Sequence, residues 1–328
     1  MSHTQSPAPP ARPRIALVIG ATGGIGGETA AALARHGWTV RGLSRRPQPA
    51  GAGIDWVVGD AMNADDVRRA AEGVSLIVHA ANPPGYRDWD KLVLPMIDNT
   101  IAAAKAVGAR IVLPGTVYNF GPDAFPSLRE TSPQRPLTRK GAIRVEMEKR
   151  LAAAAQAGAS ALIVRAGDYF GPRTTDNSVF SAAMIQRGAP VRRILEVTAR
   201  GTSHAWAYLP DVAETIARLM DRDSELAPFE MFHYAGYQLA AGDMAGAITR
   251  TVGAPRPSVW SFPWMLVVAL QPFVRLFREL AEMRYLWRTS IALDDRKLRA
   301  FLGAAMPLTP LDEAVRASLK GLGCLPAR

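Results

Sequence analysis

The stretch LVIGATGGIGGETAAALARHGW (residues 17–38) carries the glycines Gly20, Gly23 and Gly26 between an apolar run and an alanine-rich run. Such a triplet by itself also fits a tight turn that binds nothing. A glycine loop that follows a strand and opens a helix, however, is typical of a pyrophosphate site, where glycines let the backbone turn sharply and approach the phosphates. The stretch therefore predicts a dinucleotide site with the cofactor-binding residues Gly20, Thr22, Gly23, Gly24, Ile25 and Gly26.

Short apolar runs alternate with alanine-rich helical patterns through the first half of the chain. Apolar runs covered on both faces are typical of a parallel sheet, so we predict an α/β fold of the Rossmann type, a doubly wound parallel sheet. The predicted strands are 14–20, 38–44, 54–60, 75–81, 109–115 and 160–167, and the predicted helices are 25–36, 64–72, 91–107 and 140–157.

The second half predicts a smaller, mostly helical substrate lobe above the carboxyl edge of the sheet, where such folds bind ligands. A helix is expected to begin near Asp211, with that carboxylate as its N-terminal cap, and a strand is expected at 229–236. The predicted division is a disordered proline-rich leader, a dinucleotide-binding core and a substrate lobe: 1–13 for the leader, 14–170 for the core, completed by about 205–236, and 171–204 with 237–328 for the lobe.

The composition of the chain indicates which classes of partner to expect. The chain has 328 residues and a formal net charge of +10, but its basic residues form no long run interleaved with aromatics. We therefore expect a small-molecule substrate and no nucleic acid. The single cysteine, Cys324, can form no internal disulfide, and the five histidines lack metal-ligand spacing, so no metal is expected. Because the N-terminus lacks the apolar core of a secretion signal, we expect a cytoplasmic protein.

The most apolar later stretch is VWSFPWMLVVAL (residues 259–270), which Pro263 interrupts. It is shorter than the ~20 residues that a membrane-spanning helix needs, so no transmembrane segment is expected. We predict a buried helix or a lid over an apolar pocket. Peripheral membrane contact and a homodimer are the other interpretations left open.

The end of the second predicted strand bears on the choice of nucleotide. Many NAD-binding sheets have an acidic residue there that binds the ribose hydroxyls. This chain has Ser44, Arg45 and Arg46 instead, a hydroxyl and two guanidinium groups that suit a 2′-phosphate. The sequence therefore favours NADP over NAD, although the two arginines also fit a solvated surface pair.

Six motifs follow one another along the chain: GATGGIG (20–26), GD (59–60), VHAAN (78–82), LPGTVYNFGP (113–122), VRAGDYFGP (164–172) and AWAYLPDVAE (205–214). Through them the chain resembles the extended short-chain dehydrogenases/reductases, specifically the NAD-dependent epimerase/dehydratase branch, over most of residues 14–320. The resemblance implies that Asp60 and Ala61 lie at the adenine ring and that Ala80 and Ala81 line the cofactor ribose. It also implies that Asn99 lies on the helix that abuts the ribose and that Tyr169 and Phe170 border the nicotinamide or substrate.

The chain departs from this family at the catalytic pair, a tyrosine and a lysine in Y-x-x-x-K. When Glu148 is matched to the family glutamate, Lys140 takes the tyrosine position and Arg144 takes the lysine position. The spacing keeps both on one helix face, but an arginine cannot act as a base at ordinary pH. Pro114 occupies the place of the usual serine, which leaves Thr116 and Tyr118 as nearby hydroxyls. The candidate catalytic residues are Lys140, Arg144, Thr116 and Tyr118.

Two functions are compatible with these residues. The first is an NAD(P)-dependent oxidoreductase or epimerase/dehydratase-like enzyme that acts on a carbonyl or hydroxyl small molecule with non-standard acid/base residues. The second is a catalytically silent NADP-binding sensor or regulatory protein. The residues Ser203, His204, Trp206 and Tyr208 are further candidates for the substrate side, and Arg192 and Arg193 are candidates for an anionic substrate group or for surface charge.

Overall fold

A computed structural model describes residues 14–49, 51, 53–83, 88–175 and 177–326, so the predicted leader 1–13 lies outside the described residues. The strands are β1 (Ile15–Ile19), β2 (Thr39–Ser44), β3 (Ile54–Val58), β4 (Leu76–His79), β5 (Arg110–Gly115), β6 (Ser127–Leu128), β7 (Ser160–Ala166), β8 (Asp168–Phe170), β9 (Arg193–Glu196), β10 (Ser203–Tyr208), β11 (Phe229–Tyr234), β12 (Tyr237–Ala240), β13 (Ser258–Ser261) and β14 (Ala292–Leu293). The helices are α1 (Gly24–Arg35), α2 (Ala64–Ala70), α3 (Trp89–Val107), α4 (Arg139–Gln156), α5 (Leu209–Asp221), α6 (Asp243–Val252), α7 (Trp264–Leu270), α8 (Arg275–Met283), α9 (Arg296–Leu302) and α10 (Leu311–Gly321).

Seven strands form a parallel sheet in the order β3-β2-β1-β4-β5-β7-β11. Successive residues of β1 point to opposite faces and enter different cores: Val18 packs with α1 and α5, whereas Leu17 packs with α3 and α4. Since both faces are covered by helices, the central strands β1, β4 and β5 are largely apolar. The predicted Rossmann-type sheet is therefore confirmed.

The remaining strands form small sheets beside the large one, in the orders β12-β10-β8, β13-β9 and β14-β6. They share a third core with the C-terminal helices, in which Phe170, Phe180, Trp206 and Trp287 are fully or almost fully buried. The smaller sheets and this core lie next to the carboxyl ends of the large sheet, because β8 directly follows β7 in the chain. Among the described residues no helix is both long and apolar enough to cross a membrane.

Two local predictions were wrong. Asp211 lies in the first turn of α5 but caps no backbone N–H there. Its carboxylate instead accepts hydrogen bonds from the backbone N–H (2.8 Å) and hydroxyl (2.7 Å) of Thr309, which joins α5 to the segment before α10. Of the two interpretations of the apolar stretch around α7, the buried helix is wrong, because Met265 is 78% exposed and only Val267 of α7 is buried, whereas the lid stays a prediction.

Candidate active site

A cleft of about 380 Å³ lies at the carboxyl ends of the central strands. In parallel sheets this edge, near the point where the strand order reverses about β1, is where ligands bind. The lining brings together most of the glycine loop, the ends of β4 and β5, and the loop after β8: Gly20, Thr22, Gly23, Gly24, Ile25, Arg45, His79, Ala80, Ala81, Asn82, Trp89, Pro114, Thr116, Val117, Tyr118, Arg144, Gly167, Asp168, Tyr169, Thr174, Thr175, Asn177, Ser178 and Leu209.

The glycine loop packs too closely for side chains. Gly20 has φ +95°, and a Cβ atom there would lie 2.6 Å from the Ala80 carbonyl group. A Cβ atom on Gly26 would lie 2.2 Å from the carbonyl oxygen of Gly20. The loop therefore holds the start of α1 against the end of β1.

The N-terminus of α1 is open toward the cleft. Its cap is Gly23, which offers no side-chain hydrogen bond, and the first turn contains no acidic residue. The first N–H groups of a helix have no partner within the helix and carry the positive end of its dipole. Because Gly24 and Ile25 line the cleft, these donors fit a pyrophosphate. A Cβ atom on Gly24 would lie 3.0 Å from the carbonyl oxygen of Arg173, so the backbone there is tightly packed from the other side.

Among the residues predicted to bind the adenosine, Arg45 lines the cleft, whereas the others make contacts in the loops beside it. Arg45 lines the cleft, while Ser44 donates its hydroxyl to the carbonyl of Arg46 (2.8 Å) and neither Ser44 nor Arg46 belongs to the described lining. Asp60 caps the turn before α2, where its carboxylate accepts from the N–H of Met62 (3.0 Å). The carbonyl of Ala61 accepts from the side chain of Asn99 (2.9 Å), so this predicted residue positions the loop after β3.

Three of the four candidate catalytic residues line the cleft: Thr116, Tyr118 and Arg144. Arg144 projects from α4, and its guanidinium carbon lies 5.2 Å from the centre of the Trp89 ring. This is the distance of a cation–π contact, which holds the guanidinium group over the indole. Helix α4 packs against the short 3-10 helix Val117–Asn119, and this contact sets Tyr118 beside the helix that carries Arg144.

Lys140, the fourth candidate, does not belong to the described lining of the cleft. It lies in the first turn of α4, its side chain is 4% exposed, and its Nζ atom lies 3.1 Å from Oε2 of Glu282 in α8. The other oxygen of Glu282 accepts a hydrogen bond from the N–H of Arg139 (2.8 Å). The carboxylate thus binds the start of α4 through both oxygens.

Two buried polar atoms of the cleft residues have no hydrogen-bond partner among the described residues: Oγ1 of Thr116 and Nε2 of His79. The other ring nitrogen of His79 lies 2.8 Å from the hydroxyl of Thr100. Burial and the nearby Arg144 guanidinium lower the pKa of His79 to about 3, so its ring is neutral at neutral pH. Since buried polar atoms in proteins are almost always paired, these two atoms are available to a ligand or a water molecule in the cleft.

Sequence reasoning missed the pair formed by Asp168 and His204. Oδ2 of Asp168, which lines the cleft, lies 2.7 Å from Nε2 of His204, and the histidine ring stacks on Trp287 at 3.9 Å. No motif spacing signals this pair, because its members lie on neighbouring strands, β8 and β10. His204, Trp206 and Tyr208 are buried beside the site and are not part of its described lining, and Arg192 and Arg193 are exposed outside it.

Tyr169 is the other phenol of the cleft. Its hydroxyl lies 3.5 Å from the carbonyl oxygen of Gly115, and burial raises the pKa of this phenol well above its usual range. The resemblance pointed to this residue as a neighbour of nicotinamide or substrate. Trp89, the first residue of α3, was not singled out from the sequence.

Several solved structures share this architecture. A search of curated proteins gave no match. Among solved structures, a putative epimerase from Burkholderia cenocepacia is 22% identical, with a TM-score of 0.75 over 96% of this chain and 100% of that chain. The Thermus thermophilus UDP-glucose 4-epimerase complex with NAD is 20% identical, with a TM-score of 0.70 over 94% of this chain and 98% of that one. MoeE5 in complex with UDP-glucose and NAD is 20% identical, with a TM-score of 0.70 over 93% and 97%.

At these identities the structures show a shared fold. The model of the NAD-dependent epimerase/dehydratase family matches residues 16–233, which span the central sheet from β1 to the last residue but one of β11. The matched segment contains the glycine loop, the described lining of the cleft and α4. The chain belongs to the NAD-dependent epimerase/dehydratase family.

Proposed function

We propose that this protein is an NADP-dependent oxidoreductase or epimerase-like enzyme that acts on a carbonyl or hydroxyl group of a small molecule. One observation carries the proposal: the open N-terminus of α1 and the unpaired buried atoms of Thr116 and His79 belong to residues of one cleft. The N-terminus of α1 offers N–H donors to phosphates, and the atoms of Thr116 and His79 offer polar partners to a reacting oxygen.

The cleft residues fit a dinucleotide. The backbone of Gly23, Gly24 and Ile25 would hold the pyrophosphate, and Ala80 and Ala81 leave room for a ribose. When bound, the nicotinamide would supply or accept the hydride, while the protein binds and orients the substrate. Arg144 would bind ribose hydroxyls or a substrate anion through its guanidinium group.

The preference for NADP rests on Arg45. Two of the similar structures described above hold NAD. In this chain, however, β2 ends in Ser44 and continues with two arginines, and Arg45 lines the cleft. A guanidinium group binds a phosphate through charge-assisted hydrogen bonds, whereas the diol of NAD calls for an acceptor.

Proton transfer is assigned to Tyr118. It lines the cleft next to Thr116, whose hydroxyl would hold the reacting oxygen while the phenol moves the proton. Lys140 is the second candidate for this role. Its Nζ atom contacts Glu282, and the residue does not belong to the described lining of the cleft, which is why it comes second.

The same contact favours the second candidate function, a catalytically silent dinucleotide-binding protein. The residue at the family's tyrosine position joins α4 to α8 in this chain, which a protein without turnover would tolerate. Hydride transfer separates the two functions, because only an enzyme moves hydride to a substrate.

The experiment pairs NADPH deuterated at C4 with a panel of ketones and aldehydes, and pairs NADP with nucleotide sugars deuterated at their carbinol carbons, with deuterium transfer followed by mass spectrometry. We expect transfer to one substrate class, a large loss of turnover in Tyr118→Phe and Thr116→Ala, and wild-type turnover in the control Tyr285→Phe. The Tyr285 phenol lies outside the described lining and donates to the carbonyl of Phe120 (3.1 Å). If both cleft variants kept full turnover, Tyr118 and Thr116 would not carry the proton transfer, and Lys140→Met would be the next variant to test. Tight NADPH binding without transfer to any substrate would favour the silent protein.

A further inference from the structure

The segment from β13 to the start of α8 exposes apolar side chains on one short stretch of chain. Of the ten large hydrophobic residues that are exposed among the described ones, six lie here: Val259 (52%), Trp260 (60%), Met265 (78%), Leu266 (53%), Phe273 (84%) and Val274 (36%). We call these six residues the apolar patch. Soluble proteins seldom expose a cluster of this kind unless it binds something.

The segment is fixed to the protein from its inner side. Nε1 of Trp264 donates to the carbonyl of Val197 (3.2 Å), the Trp264 ring packs against Phe262 at 4.7 Å between centroids, and Val267 is 2% exposed. The neighbouring side chains Met265 and Leu266 point away from these anchors. The apolar patch is therefore not required to fill the core.

The surroundings of the apolar patch are mostly basic. A nearby carboxylate, Glu196 opposite Ser261 across β9 and β13, accepts hydrogen bonds from the N–H groups of Thr198 and Gly242. Residues 244–278 contain no aspartate or glutamate. Arg256 and Arg278 lie at the two ends of the segment, and Arg193 pairs with Ser258 across β9 and β13, with Arg192 next to it. All four arginines are exposed, and none of them makes an ion pair with a carboxylate in the described part of the chain.

We propose that the apolar patch and its arginines bind the surface of an anionic lipid bilayer. Side chains such as Trp, Met and Phe insert into the headgroup boundary, while arginines attract anionic headgroups. Helix α7 has 7 residues, so it would lie in the interface rather than cross it. A second copy of the chain fits less well, because a symmetric contact would bring the arginines of both copies together.

The test is co-sedimentation of the full chain with vesicles of phosphatidylcholine alone and of phosphatidylcholine mixed with phosphatidylglycerol. We expect binding to the mixed vesicles and little to the neutral ones. The double variant Met265→Glu and Phe273→Glu should lose at least tenfold in affinity. Arg193→Gln and Arg256→Gln should each lose about fivefold. Leu308→Glu, a change at a residue that is 49% exposed and lies outside the segment, is the control and should bind as the wild type does.

The exposure of Met265 and Phe273 makes loss of the fold in the double variant unexpected, and circular dichroism with a melting curve checks this. Equal sedimentation of the double variant and the wild type would overturn the proposal, as would no binding to either vesicle. Light scattering after size exclusion tests the alternative, which is contact between copies of the chain. A dimer that the double variant disperses would assign the apolar patch to contact between copies of the chain and would also overturn the proposal.

Discussion

Nζ of Lys140 lies 3.1 Å from Oε2 of Glu282, so Lys140, which the sequence predicts at the family's tyrosine position, joins α4 to α8. The lysine side chain is 4% exposed and that of the glutamate is 28% exposed. This contact joins α8 to the start of α4. Lys140 does not belong to the described lining of the cleft, which contains Thr116, Tyr118 and Arg144.

Removing the carboxylate should destabilise the fold more than removing the lysine charge. Glu282→Gln leaves a buried ammonium group without this carboxylate and is expected to cost about 1–3 kcal/mol in the free energy of unfolding. Lys140→Met removes the buried charge and should cost less. Urea unfolding measures both, with Glu225→Gln of the exposed Arg222–Glu225 pair as the control and the smallest loss expected there. Equal losses at positions 282 and 225 would contradict the structural role of the buried pair.

The close approach at Gly26 predicts opposite effects for two glycine-to-alanine changes. Gly26→Ala places a Cβ atom 2.2 Å from the Gly20 carbonyl oxygen, so the loop must shift and both stability and dinucleotide affinity should fall. At Gly246, in α6, the new Cβ atom would lie 3.4 Å from the flexible end of Arg250. Gly246→Ala should stabilise the protein by about 0.5–1 kcal/mol. Thermal unfolding and a cofactor titration check both, and a Gly26→Ala protein that binds normally would be incompatible with the loop geometry.

The proposed 2′-phosphate contact predicts a change in nucleotide preference. Arg45→Ala should weaken NADPH binding about tenfold or more, since a hydrogen bond to a charged group contributes roughly 1.5–3 kcal/mol. Binding of NADH should change little. The control is Arg68→Ala, an exposed α2 residue that pairs with Asp65. If calorimetry gave the same loss for NADPH and NADH, the assignment of Arg45 to the 2′-phosphate would be wrong.

His79 predicts a stability that depends on pH. Its pKa is lowered to about 3 by burial and by Arg144, against 6.5 in the unfolded chain. Between these values the unfolded state binds more protons, so stability is lost as pH falls below 6.5, by up to about 1.4 kcal/mol per pH unit. His79→Gln should make the free energy of unfolding less dependent on pH in this range. The same slope in the variant and the wild type would show that His79 does not carry this effect.

The sheet could be predicted because its local signals agree with the tertiary structure. Each of the first five predicted strands overlaps an observed strand of the large sheet, since an apolar run such as ALVI in β1 fits only a strand covered on both faces. The glycine loop could be predicted for the same reason. Its strand, turn and helix are contiguous in sequence, so the site they build needed no long-range information.

The failed predictions concern contacts between distant parts of the chain. Asp211 has the residue type of a helix cap, but Thr309, 98 positions later, supplies its partner. For the apolar stretch around Met265 a buried helix was one of two interpretations, yet Met265 is 78% exposed. Likewise, Glu282 and His204 reach α4 and β8 from elements that no local pattern connects to them.

The central claim is that the open N-terminus of α1 and the cleft beside it bind a nicotinamide dinucleotide. The most direct measurement is calorimetric titration of the full chain with NADPH, NADP, NADH and NAD, alongside the Gly26→Ala variant. We expect saturable binding of one nucleotide per chain, tighter for the phosphorylated forms, and weaker binding in the variant. A folded wild-type protein that binds none of the four nucleotides would contradict the account.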